Sequence, residues 1–307
     1  MQALESILMI VLTLSLGCYL GGKCSFKIKN IAIYLISPTV YILLFLMGLS
    51  SAWVFLDGKI SYYIMFESLI LASLISLFTF LFLVEYKNIG TIKRNVKGGV
   101  LVAFSGCFKV IIAFFLGGFT YYVIGIEIEG INKVIDFTLY FLILLIGFDL
   151  SSFSLKELDF SHWKIPVLTI FSTFLGALVF SAFSDRNILE VMISASGFGW
   201  FTLSGPMVTA AISPELGMFA FLTDLFRELI SIVFLYLIGS YFSKGAIGIC
   251  GAAALDSALP FIKENCEDKY INHAIASGFI LTILAPFFIT LLCDFFNLSA
   301  FSLDVKL

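Results

Sequence analysis

An all-α polytopic membrane protein is the fold class the sequence predicts, and three observations predict it. Apolar residues make up 60% of the 307 and charged residues only 13%, against roughly a half and a quarter in a soluble domain. Mean hydropathy is +1.07. Such a chain lacks the polar side chains to cover itself in water, so lipid must solvate most of it. Long unbroken apolar runs, such as Ile31–Leu56 and Ile60–Val84, stand in place of the polar–apolar alternation of a barrel strand. A backbone in lipid must satisfy its own N–H and C=O groups, so these runs are helices.

Six runs long enough to cross a bilayer fill residues 1–187: Leu4–Gly21, Ile31–Leu56, Ile60–Val84, Gly98–Ile124, Val134–Leu150 and Trp163–Phe183. The first has Glu5 ahead of it in place of a basic stretch and no small-residue cleavage site, so it reads as a retained span. Residues 188–307 change character. Ile188–Ile212 is apolar but interrupted at Ser196–Gly199 and Ser204–Pro206. Leu216–Phe242 carries charge inside it, Gly245–Ile262 is interrupted by Gly248, Gly251, Asp256 and Pro260, and Ile271–Phe295 closes the set. The expected architecture is therefore one membrane domain over 1–307, with about eight transmembrane helices plus two Gly-rich interrupted segments.

Basic residues in short loops orient such a chain. One set of loops carries Lys23, Lys27, Lys29, Lys87, Lys93, Arg94, Lys97, Lys156 and Lys164; the alternate set carries Lys59, Lys133 and Arg186. The rich set is expected on the cytoplasmic side of a bacterial inner membrane, which puts both termini in the periplasm. If the interrupted segments re-enter, there are eight crossings and Lys244 is cytoplasmic. If they cross as broken helices, there are ten and Lys244 faces out. Tyr41–Gly48 (YILLFLMG) and Tyr140–Gly147 (YFLILLIG) are alike and run in opposite directions in this topology. Inverted repeats with broken helices are a transporter pattern.

Charges at membrane depth cost several kcal/mol or more and point to function. Asp224, Arg227 and Glu228 are spaced i, i+3, i+4, which places them on one helix face that Ser231 continues. The bland alternative is a self-neutralising pair that glues helices, but a pair does not need a third charge. Asp256 lies between an alanine run and Pro260, where a loosened helix frees backbone groups to meet a charged ligand; its bland alternative is a helix cap. Gly197, Gly199 and Ser204 suit unwound backbone lining a polar site, or equally a close-packing surface. Lys109 is the only base deep in the fourth run, either balancing one of these acids or reaching to the surface. Asp149 and Glu67, nearer run ends, read as interfacial, and the single match Gly17-x3-Gly21 carries little by itself.

Other chemistries find little support. The six cysteines are scattered with no CxxC pair, and His162 and His273 are the only histidines, so neither a metal site nor a cofactor is expected. Net charge is −3 with no basic tail, which argues against nucleic acid.

Three blocks resemble the bacterial L-lysine exporter family (LysO type): Ala195–Trp200 (ASGFGW) with Leu203-Ser204-Gly205; Asp224-Leu225 with Arg227-Glu228; and Gly248 with Cys250-Gly251-Ala252, Asp256 and Leu259-Pro260. The resemblance extends to His273 with Gly278-Phe279-Ile280-Leu281 and spans nearly the whole chain. Thr223 stands where the family has Asn, and Ala253-Ala254 where it has Thr-Ser. The resemblance implies proton-driven export of lysine and its analogue thialysine, with intramembrane acids at Asp224, Glu228 and Asp256 taking part. The implied partners are L-lysine, protons and the lipid bilayer, with a homo-oligomer left open.

Two competing functions remain. One is a secondary transporter of another small solute, against which an excess of interior acids over bases argues for a cation. The other, remote, is an intramembrane serine protease using Ser196 and His273, which would leave the charged stripe and Asp256 without a role.

Overall fold

A computed structural model describes residues 2–56, 58–85, 100–124, 130–151 and 159–304. The predicted basic loops bearing Lys87, Lys93, Arg94, Lys97 and Lys156 lie outside the described residues. No strand occurs among those described. The chain is a multi-pass helical membrane protein, and the apolar runs become α1 (Gln2–Lys23), α2 (Phe26–Ser50), α4 (Gly58–Leu83), α5 (Val100–Ile124), α6 (Ile131–Leu150) and α7 (Lys164–Ser181). The run predicted over Ile31–Leu56 breaks at Ser51, leaving the short α3 (Ala52–Leu56). Among the described residues five helices are long and apolar enough to cross a membrane on composition alone; α10 (Pro214–Ile238) has the length. It also carries Glu215, Asp224, Arg227 and Glu228.

Glycines set how closely the first six helices approach. Gly17 of α1 lies against Gly147 of α6, and Gly48 of α2 against Phe114 and Gly118 of α5, with Gly117 returning the contact on Phe45. A Cβ at any of these would overlap backbone of the facing helix, so the seams require the missing side chain. Gly21 packs on Phe148, so the Gly17-x3-Gly21 motif is a real α1–α6 seam. The look-alike segments occupy related places: Gly48 and Gly147 each sit in a glycine seam with a neighbouring helix. Thus α1 packs on α6 as α5 packs on α2, while α2–α6 and α4–α7 pair across the middle, the arrangement expected of inverted repeats.

The two interrupted segments are hairpins that enter from opposite sides. The first consists of α8 (Ile188–Ala195), a turn, and α9 (Phe201–Ala211). Arg186, just before α8, pairs with Glu67 at 2.5 Å and with Glu215, in the first turn of α10, at 3.7 Å. The segment thus begins and ends on one side. Asn187 caps α8 by accepting the Leu189 N–H, and Ser213 caps α10 by accepting the Leu216 N–H, with Pro214 preset for the first helical turn.

The second hairpin consists of α11 (Ser243–Cys250), a 3₁₀ turn (Gly251–Leu255) and α12 (Leu259–Asn265). Its ends also meet: the Glu267 N–H donates to Ser243 Oγ at 3.2 Å. Lys244 bonds Glu85 at 2.8 Å, and Lys164 bonds the same carboxylate at 2.8 Å. Lys244 therefore shares a side with the start of α7, opposite Arg186, and the re-entrant alternative with eight crossings is the one the geometry takes. The last helix, α13 (Ile271–Asp304), completes the bundle.

Candidate functional site

The tips of the two hairpins touch. The Ala252 N–H donates to the Phe198 carbonyl at 2.9 Å. Both tips turn through left-handed backbone, at Phe198 (φ 51°), Gly199 (φ 87°) and Gly251 (φ 62°). Glycine takes that region without a Cβ clash; Phe198 does so under strain, fixed by burial among Phe174, Phe288 and Ala252. Unwound backbone of this kind survives at membrane depth only inside protein or against a cavity.

One face of α10 holds both tips. Asp224, 1% exposed, accepts the Gly199 N–H at 2.7 Å. Its second oxygen and the Ser204 hydroxyl crowd Gly197, where a Cβ would collide with both. One turn on, Arg227 is fully buried. It donates to the carbonyls of Ile249 (3.1 Å) and Gly248 (3.4 Å) and to Thr173 Oγ1 (3.1 Å). So Asp224 grips the first hairpin and Arg227 the second, from positions three residues apart on one helix. Neither lines open space.

Glu228 and Asp256 do. A cavity of about 400 Å³ lies between the hairpin tips and the Lys164 side. Its polar wall is Asp149, Glu228, Asp256, Thr202 and Ser257, with Gly199 at the first tip. Tyr41, Trp200 and Phe261 supply the aromatic part. Three carboxylates face this space, and among the described residues no Lys, Arg or His lines it. Asp256 is exposed to it and accepts the Ser257 N–H, while Glu228 is 4% exposed.

Of the predicted site residues, then, the structure gathers Glu228, Asp256 and Gly199 at the cavity, and Asp224, Arg227, Gly197 and Ser204 behind it. Lys109 is exposed on α5 and joins neither group. Asp149 is the cavity residue that the sequence reading set aside as interfacial. Its spacing from Leu142 and Ile146 (i−7 and i−3), which also line the cavity, is the helical face signal that could have found it. The Ser196 hydroxyl donates to Ile193 of its own turn, whereas His273 stacks on His162 at 4.4 Å near the Lys164 side. No hydrogen bond joins Ser196 to His273, so the protease pair is not assembled. Among the described residues no group of three or more metal-ligating side chains occurs.

Comparison with known proteins adds an independent line. The family model described as Lysine exporter LysO matches residues 111–293, which include both hairpins, α10 and Asp149. The chain is 29% identical over 304 residues to "Lysine exporter LysO" of Escherichia coli K12, covering 93% of this chain and 98% of the relative. It is 31% identical over 171 residues to a "Putative lysine exporter" of Haemophilus influenzae, covering 54% of this chain and 86% of that one. Since the family match spans more than half the chain and takes in the whole hairpin core, the protein belongs to the lysine exporter LysO family.

Proposed function

We propose that this protein exports L-lysine, and its analogue thialysine, across the bacterial inner membrane in exchange for protons. The observation that carries the proposal is the cavity: three carboxylates and, among the described residues, no basic side chain around about 400 Å³, beside two broken hairpins. Lysine at neutral pH has two ammonium groups and one carboxylate. The acids suit the ammonium groups by charge-assisted hydrogen bonds. The first turn of α9, at Phe201 and Thr202, has N–H groups with no partner four residues back, which suits the carboxylate.

Direction follows from charge. Moving a cation out of a cell that is negative inside costs about 2.3 kcal/mol per charge per 100 mV. A carrier without a coupled ion would load the cell with lysine. Protons entering as lysine leaves supply the difference, and a carboxylate that binds either a proton or an ammonium group makes the exchange obligatory. In this orientation the Lys164 side is cytoplasmic, both termini are periplasmic, and the cavity stands where substrate loads.

Uptake of labelled lysine into everted membrane vesicles, with and without an imposed pH gradient, tests this. The gradient should drive uptake and a protonophore should abolish it. Cells lacking the gene should become sensitive to thialysine, and the wild-type gene should restore resistance. pH-dependent transport of another solute, with no lysine transport and no thialysine resistance, would leave a transporter and remove lysine as its cargo.

A further inference from the structure

The three cavity acids sit on different parts of the molecule. Glu228 belongs to α10 and Asp256 to the second hairpin, and these parts are tied together: Arg227, next to Glu228, bonds Gly248 and Ile249 on the strand of chain leading to Asp256. Asp149 comes from α6, which packs mainly on α1 and α2 and more lightly on α9. The cavity is thus a seam between two bodies, with two acids on one wall and a single acid on the other.

We infer that Asp149 is a specificity residue of the loading face: from the α6 wall it binds the second ammonium group of a diamino substrate whose first is held by Asp256 across the cavity. The inference rests on the cavity being the lysine chamber. It adds the reason a lysine-sized diamine is preferred over an amino acid with a neutral tail. Asp149 is half-buried and is the next-to-last residue of the helix, at its cytoplasmic end, so it meets substrate at entry. A monoamino substrate leaves it facing Asp256 with no cation between, and like charges in one cavity repel. Lysine places a positive charge there. Lys29, at the start of α2, is an opposite charge that acts on Asp149 without lining the cavity.

The test is a competition in everted vesicles between lysine and 6-hydroxynorleucine, which replaces the side-chain ammonium with a hydroxyl. Wild-type protein should prefer lysine. Asp149→Asn should raise the KM for lysine about ten-fold, keep most of Vmax, and bring the two substrates close together. Asp149→Glu should restore much of the preference. Lys29→Gln should leave KM unchanged or lower it, whereas an acid serving only to anchor Lys29 would make Lys29→Gln copy Asp149→Asn. Should Asp149→Asn not accumulate in the membrane, Asp149→Ser gives the same readout. An unchanged KM and preference in the neutral variants, in vesicles where wild type transports lysine, overturns the role of Asp149 alone. Absence of lysine transport by wild type overturns the chamber and this role together.

Discussion

The backbone N–H of Ala252 meets the carbonyl of Phe198 at 2.9 Å, and this one bond joins two hairpins that enter from opposite sides. Each tip satisfies a polar group that lipid could not. Asp224 and Arg227 hold the two tips from behind, so the broken backbone is fixed at both ends of the contact. The geometry explains why open space begins only at Glu228, one residue further along the same helix.

Gly251 should tolerate no side chain. Its φ is +62°, and a Cβ there would overlap the Phe198 carbonyl. The backbone strain alone costs about 1–3 kcal/mol. Gly251→Val should lower the melting temperature in detergent by about 5 °C or more and abolish export. A normal melting temperature would show that the tips do not depend on one another.

The charged stripe should divide into holders and carriers. Asp224→Asn leaves the buried Arg227 uncompensated, and Arg227→Lys cannot reproduce a fork that reaches Gly248, Ile249 and Thr173. Leaving buried polar groups without their hydrogen-bond partners costs about 1–3 kcal/mol. Both variants should melt lower and accumulate less. Glu228→Gln and Asp256→Asn, which border the cavity, should lose export at near-normal melting temperature. Export by Asp224→Asn lost at full stability would move Asp224 from the scaffold into the transport path.

Much of this was legible in the sequence, for identifiable reasons. Apolar length fixed the six spans because lipid admits few alternatives. The i, i+3, i+4 spacing put Asp224, Arg227 and Glu228 on one face. What spacing could not separate was their roles, because those depend on the partner backbone: Gly199 for Asp224, Gly248 and Ile249 for Arg227, and the cavity for Glu228. Eight crossings were favoured over ten by the single charge of Lys244, and its hydrogen bond to Glu85, a residue 159 positions away, places it on the side that eight crossings require. Asp149 was missed because a carboxylate near the end of a run has an ordinary explanation at the interface.

Topology is open to direct labelling. Single cysteines near Gln2, Ser184 and Asp304 should react with an impermeant thiol reagent in intact spheroplasts. Cysteines near Lys27, Asn95 and Lys244 should react only after permeabilisation. The reverse pattern would invert the protein, and reaction at Lys244 alone would restore ten crossings.

Glu85 lies just beyond α4, and its hydrogen bonds from Lys164 and Lys244 pull its carboxyl down from the ordinary 4.5 to about 2. A lowered folded value means that the stability it contributes is complete above about pH 4.5 and is lost as pH falls toward 2. The side chain is 34% exposed, so solvent screening limits the gain to about 1 kcal/mol or less. Glu85→Gln should lower the melting temperature at pH 7 by about 2 °C and flatten its decline between pH 5 and pH 3. Added salt should shrink the difference. Parallel pH profiles for the two proteins would show that the triad contributes nothing.

Proton and lysine need not use the same acid, and burial separates the two candidates. Asp256 is exposed to the cavity and Glu228 is 4% exposed at its base. A carboxylate that water can reach is ready to meet an incoming ammonium group. A carboxylate that water reaches less readily is the better place to hold a proton through the return step. Glu228→Gln mimics the protonated acid permanently. It should still exchange labelled for unlabelled lysine across a vesicle membrane, while losing the response to an imposed pH gradient. Asp256→Asn should lose exchange and net export together, since both begin with binding. The two measurements use the same vesicles, so protein amount cancels between them. If Glu228→Gln keeps its response to the pH gradient, the coupling proton rides elsewhere; if Asp256→Asn still exchanges lysine, the ammonium group is held by Glu228.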